Sequence, residues 1–259
     1  MELPIFQVDA FADRLFAGNP AAVVVLPSWL PADTMLAIAG ENNLAETAFV
    51  VPESDGFGLR WFTPEVEVDL CGHATLAAAW VLFNRGFTSS EMIRFQYQGG
   101  TLTVARDGDL LAMDLPARPA TRVPADPALA AALGATPIEV HQARDLMAVL
   151  PGEADVRALR PDFAALGRLE TFAVIVTARG TDCDFVSRFF APRAGIPEDP
   201  VTGSAHCTLV PYWSRRLGRP RLHARQVSRR GGDLFCEDRD DRVRLSGRCI
   251  EYLRGQITV

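Results

Sequence analysis

Two stretches of the chain resemble each other, and their spacing limits the folds that the sequence can adopt. Residues 60–64 read RWFTP and residues 188–192 read RFFAP, an offset of 128 residues. GHA at 72–74 is then matched by GSA at 203–205, an offset of 131 residues. Both offsets are close to half of the 259-residue length. They indicate a duplication into two similar lobes, because a solenoid would need several short repeats.

The segment that begins at Gly72 is predicted to form a buried helix. Residues 74–83 read ATLAAAWVLF, which is apolar on every face of a helix and must therefore be covered on every side. Cys71 and His73 nevertheless lie at its start. Unpaired N–H groups and partial positive charge at a helix N-terminus favour an anionic ligand there. The repeat predicts a second such helix starting at Gly203.

Each half of the chain is predicted to form several strands around one buried helix. Asp-Gly at 107–108 indicates a hairpin, and four prolines mark a linker at 116–127. The predicted lobes are residues 1–118 and 119–259, with the last strand near 250–259 open to joining the N-terminal lobe. Further helices are expected from about 31 to 39, at 128–133 and near 156–166, with short strands after residue 220.

Composition excludes several classes of protein. A net charge of −6 argues against nucleic-acid binding, which needs a clustered basic surface. The apolar runs are too short to cross a bilayer, and no signal peptide is recognised, so a cytoplasmic protein is expected. Five cysteines do not form a disulfide framework. No phosphate-binding loop or Gly-x-Gly-x-x-Gly follows a strand, and the Cys and His spacings do not suit zinc, so no cofactor or metal is expected.

Glu46 is a carboxylate between Leu44 and the apolar run at 48–51. It is either a surface residue at the entrance of a strand or a catalytic carboxylate that points into a cleft, and the local sequence leaves both open. If equivalent ends of the two lobes face each other, the two helix starts meet at one site. That site would include Glu46, Cys71, His73, Glu198, Asp199, Thr202 and Ser204. It could stabilise the charge that develops when a C–H group loses its proton to a side-chain base.

Four stretches carry a resemblance to the PhzF family of phenazine biosynthesis-like proteins, which share the diaminopimelate epimerase fold. They are FQVDAFADRLFAGNPAAVVVL at 6–26, ENNLAETAFV at 41–50, RWFTPEVEVDLCGHATLAAAW at 60–80 and RFFAPRAGIPEDPVTGSAHCTLVPYW at 188–213. The resemblance covers essentially the full length. It implies an α+β fold with two pseudo-symmetric lobes, each a curved, mostly antiparallel sheet wrapped around a central helix. It also implies a cofactor-independent isomerase whose active site lies between the lobes.

The resemblance also implies roles for individual residues. The acid/base of the Asn-Leu-x-Glu-Thr motif falls on Glu46, the histidine of the Gly-His motif on His73 and the aspartate of Glu-Asp-Pro on Asp199. These three are the predicted catalytic residues. The serine of Thr-Gly-Ser-Ala falls on Ser204. The predicted substrate-binding residues are Asn19, Cys71, Gly72, Thr202, Gly203 and Ser204.

Diaminopimelate epimerases use two cysteines as base and acid, and here the second position is Thr202. A threonine hydroxyl is too weak for that role, which favours Glu46 as the proton carrier. Cys71 also departs from the phenazine enzyme itself, so the substrate stays open.

Three hypotheses follow. The first is an isomerase of a small anionic metabolite that uses Glu46. The second is an amino-acid or hydroxy-acid racemase or epimerase that uses Cys71 together with Glu46. The third is a non-catalytic binding or scaffold member of the family. No nucleic-acid or membrane partner is expected, and a homodimer is left open.

Overall fold

A computed structural model describes all residues, 1–259. The strands in chain order are β1 (Glu2–Ala10), β2 (Asn19–Val25), β3 (Glu46–Glu53), β4 (Gly56–Phe62), β5 (Glu67–Val68), β6 (Met92–Tyr97), β7 (Gly100–Asp107), β8 (Leu110–Pro116), β9 (Thr121–Val123), β10 (Glu139–Gln142), β11 (Leu146–Val149), β12 (Val174–Arg179), β13 (Phe185–Ala191), β14 (Ile196–Asp199), β15 (Arg221–Gln226), β16 (Gly232–Arg239), β17 (Arg242–Gly247) and β18 (Cys249–Thr258). The helices are α1 (Ala32–Asn42), α2 (Gly72–Asn84), α3 (Pro127–Leu133), α4 (Glu153–Ala158), α5 (Phe163–Leu166) and α6 (Gly203–Leu217). Strands hold 43% of the residues and helices 23%, which confirms the predicted α+β class. No helix is both long and apolar enough to span a bilayer.

Contacts between residues divide the chain into two compact units. Unit 1 consists of residues 1–114 together with 246–259, and unit 2 consists of residues 115–245. In unit 1 the strands pair in the order β18-β1-β2-β3-β4-β6-β7-β8. Only β2–β3 and β4–β6 are parallel pairs. Helix α2 packs against β1, β2, β3 and β18, and ten of its thirteen residues are buried, as its apolar sequence predicts.

Unit 2 repeats this pattern of pairings. Its strands pair in the order β9-β10-β11-β12-β13-β15-β16. The parallel pairs are β11–β12 and β13–β15, which correspond to β2–β3 and β4–β6 of unit 1. The short strand β14 pairs with β13 as β5 pairs with β4. Helix α6 packs against β15 and β16. The repeated order matches the duplication expected from the two related stretches.

Several predicted elements were wrong in detail. The helix expected near 156–166 is two short helices, α4 and α5, because Pro161 disfavours helical backbone in the residue before it. The expected linker at 116–127 contains β9, which pairs with β10. Helix α1 continues three residues past its predicted end and closes at Asn43, which adopts the left-handed conformation. Strand β18 is ten residues long rather than short, because it pairs with the whole of β1.

Candidate functional site

The first turn of α2 presents two reactive side chains. Cys71 is the N-cap residue, with an extended backbone (φ −137°) and no side-chain cap hydrogen bond. Both the backbone N–H and the hydroxyl of Thr75 donate to the Cys71 carbonyl, at 3.1 and 2.6 Å. His73 follows within the turn and is buried. The apolar faces of α2 bury the whole helix start, which is why a thiol and an imidazole lie inside unit 1.

Two residues from neighbouring strands meet the His73 ring. The amide Nδ2 of Asn19, the first residue of β2, lies 3.1 Å from Nδ1 of His73. The Oε2 atom of Glu46, the first residue of β3, lies 3.1 Å from Nε2. The sulfur of Cys71 is 3.5 Å from Nδ1. Because β2 and β3 run parallel and Ala21 pairs with Glu46, both strand starts reach the same end of the helix.

The Glu46–His73 contact is buried and incompletely satisfied. The side chains are 12% and 6% exposed, respectively. The two facing atoms lie within ion-pair distance but are not aligned as a hydrogen bond, and neither has another hydrogen-bond partner. Buried polar atoms are nearly always paired, and exceptions cluster at functional sites. An acid and a base that lie side by side with spare hydrogen-bonding capacity can exchange a proton with a third group.

Burial and neighbouring charges have opposing effects on the pKa values of Cys71 and His73. Burial raises the pKa of the Cys71 thiol, and the Glu46 carboxylate raises it further, against the lowering effect of His73. Burial by itself lowers the pKa of the His73 ring. Cys71 and Glu46 raise it, and the balance holds the His73 pKa well above its ordinary value. At neutral pH, Cys71 is therefore a thiol rather than a thiolate.

Glu46, Cys71 and His73 are all residue types that bind metal ions. The ligand atoms of Glu46, Cys71 and His73 lie within 4.8 Å of one another. However, the sulfur faces Nδ1 and the carboxylate faces Nε2, on opposite edges of the ring. A zinc ion would need one ring nitrogen with the sulfur and the oxygen both turned towards it. The three groups follow one another as thiol, imidazole and carboxylate, an order that suits proton transfer, and they do not converge on one point as metal ligands would.

Unit 2 holds a second polar network at the start of α6. The hydroxyl of Thr202, the N-cap residue, donates to Oδ2 of Asp199 in a very short contact. Gln226 at the end of β15 is fully buried and accepts from the Thr202 N–H at 2.9 Å. Its amide also donates to the Asp199 carbonyl at 2.7 Å and to the Thr202 hydroxyl at 3.2 Å. Gln226 therefore fixes the strand end that carries Asp199 to the cap of α6.

Other predicted residues of unit 2 are placed differently. Gly203 and Ser204 form the first turn of α6, as predicted. Glu198, which we expected to line the site, instead forms a two-pronged ion pair with Arg188. The ring of His206 is fully buried, and its Nδ1 lies 2.8 Å from the Thr202 carbonyl. Burial lowers the pKa of His206 to about 4 despite this contact, so the ring is neutral and structural.

The structure thus gathers the predicted residues in two groups. Asn19, Glu46, Cys71 and His73 meet in unit 1, and Asp199, Thr202, Gly203 and Ser204 lie together around the start of α6 in unit 2. Gln226 was missed by the sequence analysis. A signal was available: β15 alternates exposed and buried residues, and Gln226 is a polar residue on the buried face, after Leu222 and Ala224.

The repeat shows which half carries the acid and base. Phe62 pairs with Thr47, and its counterpart Phe190 pairs with Val174. The residue before Val174, Ala173, therefore occupies the position of Glu46. Ser204 likewise occupies the position of His73. The cluster of ionisable groups is present in unit 1, and its counterpart positions in unit 2 are not ionisable.

Comparison with known proteins identifies the family. The family model PhzC-PhzF, described as phenazine biosynthesis-like protein, matches residues 8–255. A protein of Pseudomonas aeruginosa named as an uncharacterized isomerase is 52% identical over 257 residues, with 99% of each chain covered. The chain belongs to the PhzC-PhzF family of phenazine biosynthesis-like proteins, which confirms the resemblance seen in the sequence.

Solved structures agree with this assignment. The crystal structure of a PhzF family phenazine biosynthesis protein from Enterococcus faecalis is 48% identical, with a TM-score of 0.98 and all of both chains covered. A hydroxyproline epimerase from Agrobacterium vitis is 11% identical, with a TM-score of 0.64 over 99% of this chain and 92% of its own. That second likeness shows a shared fold and nothing more.

Proposed function

We propose that the protein is a cofactor-independent isomerase of a small anionic metabolite and that Glu46 carries the proton. One observation supports this most directly. The Glu46 carboxylate, 12% exposed, lies 3.1 Å from a buried imidazole nitrogen, and neither atom has another hydrogen-bond partner. The isomerase name of the Pseudomonas aeruginosa relative, at 52% identity over nearly the whole chain, supports the same class.

The proposed reaction uses the start of α2 to hold the substrate. The N–H groups of its first turn, which includes Gly72, bind the substrate carboxylate. Glu46 removes a proton from a carbon next to an unsaturated or carboxylate-stabilised centre. The N–H groups stabilise the charge that develops, and the carboxylic acid then returns the proton to another carbon of the same substrate. That Asp199 and the start of α6 at Gly203 also serve the substrate stays a prediction.

A racemase or epimerase is the second candidate. The observation that favours it is the position of Cys71, whose sulfur lies 3.5 Å from the same ring that contacts Glu46. A thiol and a carboxyl group could then serve the two faces of one carbon. The raised pKa of Cys71 counts against this, because the thiolate is the form that abstracts protons. The epimerase mechanism with one cysteine as base and a second as acid is excluded, because the second position is Thr202, whose hydroxyl does not ionise.

The test begins with a screen of small carboxylates for thermal stabilisation. A ligand at a hundred times its dissociation constant adds about 2.7 kcal/mol to the free energy of unfolding. Stabilising ligands are then incubated with the protein in deuterated water. We expect deuterium in the product and, for Glu46→Gln, a loss of turnover on the order of a hundred- to ten-thousand-fold with normal folding. Cys71→Ser should lose much less, and Glu41→Gln, on the exposed side of α1, is the matched control.

The outcomes separate the three hypotheses. A constitutional isomer with deuterium at the new position supports the proposed reaction. Inversion at one carbon, with Cys71→Ser as damaging as Glu46→Gln, would support the racemase instead. If ligands bind but none exchanges a hydrogen, the protein is a binding member of the family and the proposal is wrong.

A further inference from the structure

We propose that unit 1 carries a further ligand site, a cleft that binds a small organic ammonium ion with a hydroxyl or carbonyl oxygen. The cleft has a volume of about 500 Å³ and is lined by Trp61, Tyr97, Glu67, Asp69 and neighbouring residues, all of unit 1. We call it the Trp61 cleft. The inference does not depend on the proposed function, whose substrate is anionic, and its test needs no turnover.

The repeat shows what fills the corresponding place in unit 2. There the parallel pair β13–β15 continues to Ser187, which lies opposite Gln226. The Gln226 side chain bonds to the backbone of Asp199 at the end of β14 and of Thr202 at the cap of α6. These hydrogen bonds close the space between β14 and β15.

In unit 1 the corresponding space is open. The parallel pair β4–β6 ends one pair earlier, with Gly58 opposite Gln96. Strand β5 pairs with β4 only from Trp61 onwards, so the segment between Gly58 and Trp61 has neither β5 nor β6 beside it. Tyr97 takes the position of Gln226 and packs edge to face against Trp61, with the ring centroids 5.4 Å apart. The Trp61 cleft lies in this gap.

Two glycines make room for the aromatic walls of the cleft. A Cβ at Gly58 would lie 2.6 Å from the ring of Trp29, and a Cβ at Gly99 would lie 2.5 Å from the ring of Tyr97. Any larger residue at either position would displace these rings, so glycine permits their close approach to the backbone. The cleft is therefore formed before a ligand arrives, and its aromatic rings can attract a cation.

The charges of the lining favour a cation and oppose an anion. Three carboxylates line the cleft, from Glu53, Glu67 and Asp69, against the single guanidinium of Arg60. That guanidinium donates to both oxygens of Glu67 at 2.7 and 2.6 Å and lies over the ring of Trp29, 5.6 Å from its centre. Arg60 is thus already engaged, and the lining keeps an excess of negative charge that suits an ammonium group.

One group in the wall requires a hydrogen-bond acceptor. Trp61 is only 1% exposed, and its Nε1 has no hydrogen-bond partner. An indole N–H can only donate, and a buried donor without an acceptor is costly. An oxygen atom on the ligand would supply the acceptor. The ligand class that satisfies both the charge of the lining and this donor is an ammonium ion that also carries oxygen.

The test follows the indole N–H signals of the four tryptophans of the full chain by ¹⁵N NMR, and Trp61→Phe assigns the Trp61 signal. Three probes are titrated. Choline has the charge and a hydroxyl, tetramethylammonium has the charge alone, and the uncharged analogue of choline with carbon in place of nitrogen has the hydroxyl alone. We expect choline to shift the Trp61 signal. The other two should bind on the order of two- to tenfold more weakly, as expected for the loss of one hydrogen bond or one cation–π contact.

Variants separate the two contributions. Asp69→Asn removes one carboxylate and should weaken choline binding severalfold while leaving the uncharged analogue unaffected. Asp13→Asn is the matched control, because Asp13 is exposed in unit 1 and does not line the cleft. In Trp61→Phe, read from the Trp29 signal, choline and tetramethylammonium should bind equally, because the indole donor is gone.

The wild-type titrations alone can overturn the inference, even if Trp61→Phe fails to fold. An uncharged analogue that binds as tightly as choline would refute the ammonium assignment. Equal affinities for choline and tetramethylammonium would refute the role of the Trp61 donor, and a Trp61 signal that no probe shifts would show that the cleft is not a ligand site. Failure to find any turnover would remove the proposed function and leave this inference intact.

Discussion

The duplication places the same ion pair in both units, once exposed and once buried. In unit 2, Arg188 donates to both oxygens of Glu198 at 2.7 and 2.9 Å. Arg188 also donates to the carbonyls of Val156 and Leu159 at the end of α4, at 3.2 and 3.0 Å. In unit 1, the counterpart Arg60 donates to both oxygens of Glu67 at 2.7 and 2.6 Å. The exposed fractions are 10% and 20% in unit 2 against 29% and 38% in unit 1.

We predict that Arg188→Met destabilises the protein far more than Arg60→Met. Removing one partner of a buried ion pair costs about 3–5 kcal/mol, because the remaining charge is poorly solvated. Glu198 keeps some contact with solvent, so a value near 3 kcal/mol is expected, with the two helix-end carbonyls also losing their donors. An exposed pair is worth about 0–1 kcal/mol. The difference is about 2 kcal/mol or more, a factor of about 30 in the folding equilibrium.

The measurement is hydrogen exchange followed by mass spectrometry at increasing urea concentration. Peptides from residues 115–245 report on unit 2, and peptides from 1–114 report on unit 1. This separation is needed because a two-unit chain need not unfold in a single transition. We expect Arg188→Met to lower the free energy of unfolding, relative to wild type, in the peptides of unit 2. The double variant Arg188→Met/Glu198→Leu should recover part of the loss, because apolar replacement of both partners is often neutral.

Equal costs for the two arginine variants would refute the reasoning, since geometry rather than burial would then set the strength of the pair. A cost below about 1 kcal/mol for Arg188→Met would refute it too. If the double variant is no more stable than Arg188→Met, the arginine contributes mainly through the carbonyls of Val156 and Leu159.

Three further outcomes are expected. Hydrogen bonding from His141, together with Arg216, lowers the Glu139 pKa to about 2. The ionised Glu139 therefore contributes its full stabilisation above about pH 4.5, and this contribution is lost as the pH falls towards 2. In urea titrations, Glu139→Gln should remove this dependence of stability on pH. His206 is buried and has a pKa of about 4, so the unfolded chain binds its proton first as the pH falls. The free energy of unfolding should therefore drop by about 1.4 kcal/mol for each pH unit from 6.5 down to 4, and His206→Gln should lack this slope. Gln226→Leu leaves two buried backbone groups unpaired, the Thr202 N–H and the Asp199 carbonyl, and should cost about 2–5 kcal/mol by chemical denaturation.

Features encoded by a few adjacent residues were predictable. Gly72 begins α2, and Asp-Gly at 107–108 lies where the chain turns from β7 into β8, as predicted. Gly134 closes α3 in the left-handed conformation that glycine adopts at low cost. Each of these depends on local backbone preference, which the sequence displays directly. The break at Pro161 was equally local, and reading 156–166 as one helix overlooked it.

Features that join distant residues were not predictable without a resemblance. The Asn19–His73 contact spans 54 residues, and Gln226 reaches Thr202 across 24. Neither pair shares a spacing that a helix or strand would bring together. Glu46 shows the same limit: its local sequence suited a surface residue and a buried base equally well. Its position beside His73 follows from the parallel register of β2 and β3.

The pairing of β1 with β18 has a consequence for synthesis of the chain. Glu2 pairs with Thr258, so β1 is synthesised well before β18, the strand that covers its outer edge. At translation rates of 5–20 residues per second, that wait is roughly 10–50 s. An uncovered strand edge is a template for pairing with other chains. During that interval unit 2 is synthesised, and the nascent chain is most exposed to aggregation at the uncovered edge of β1.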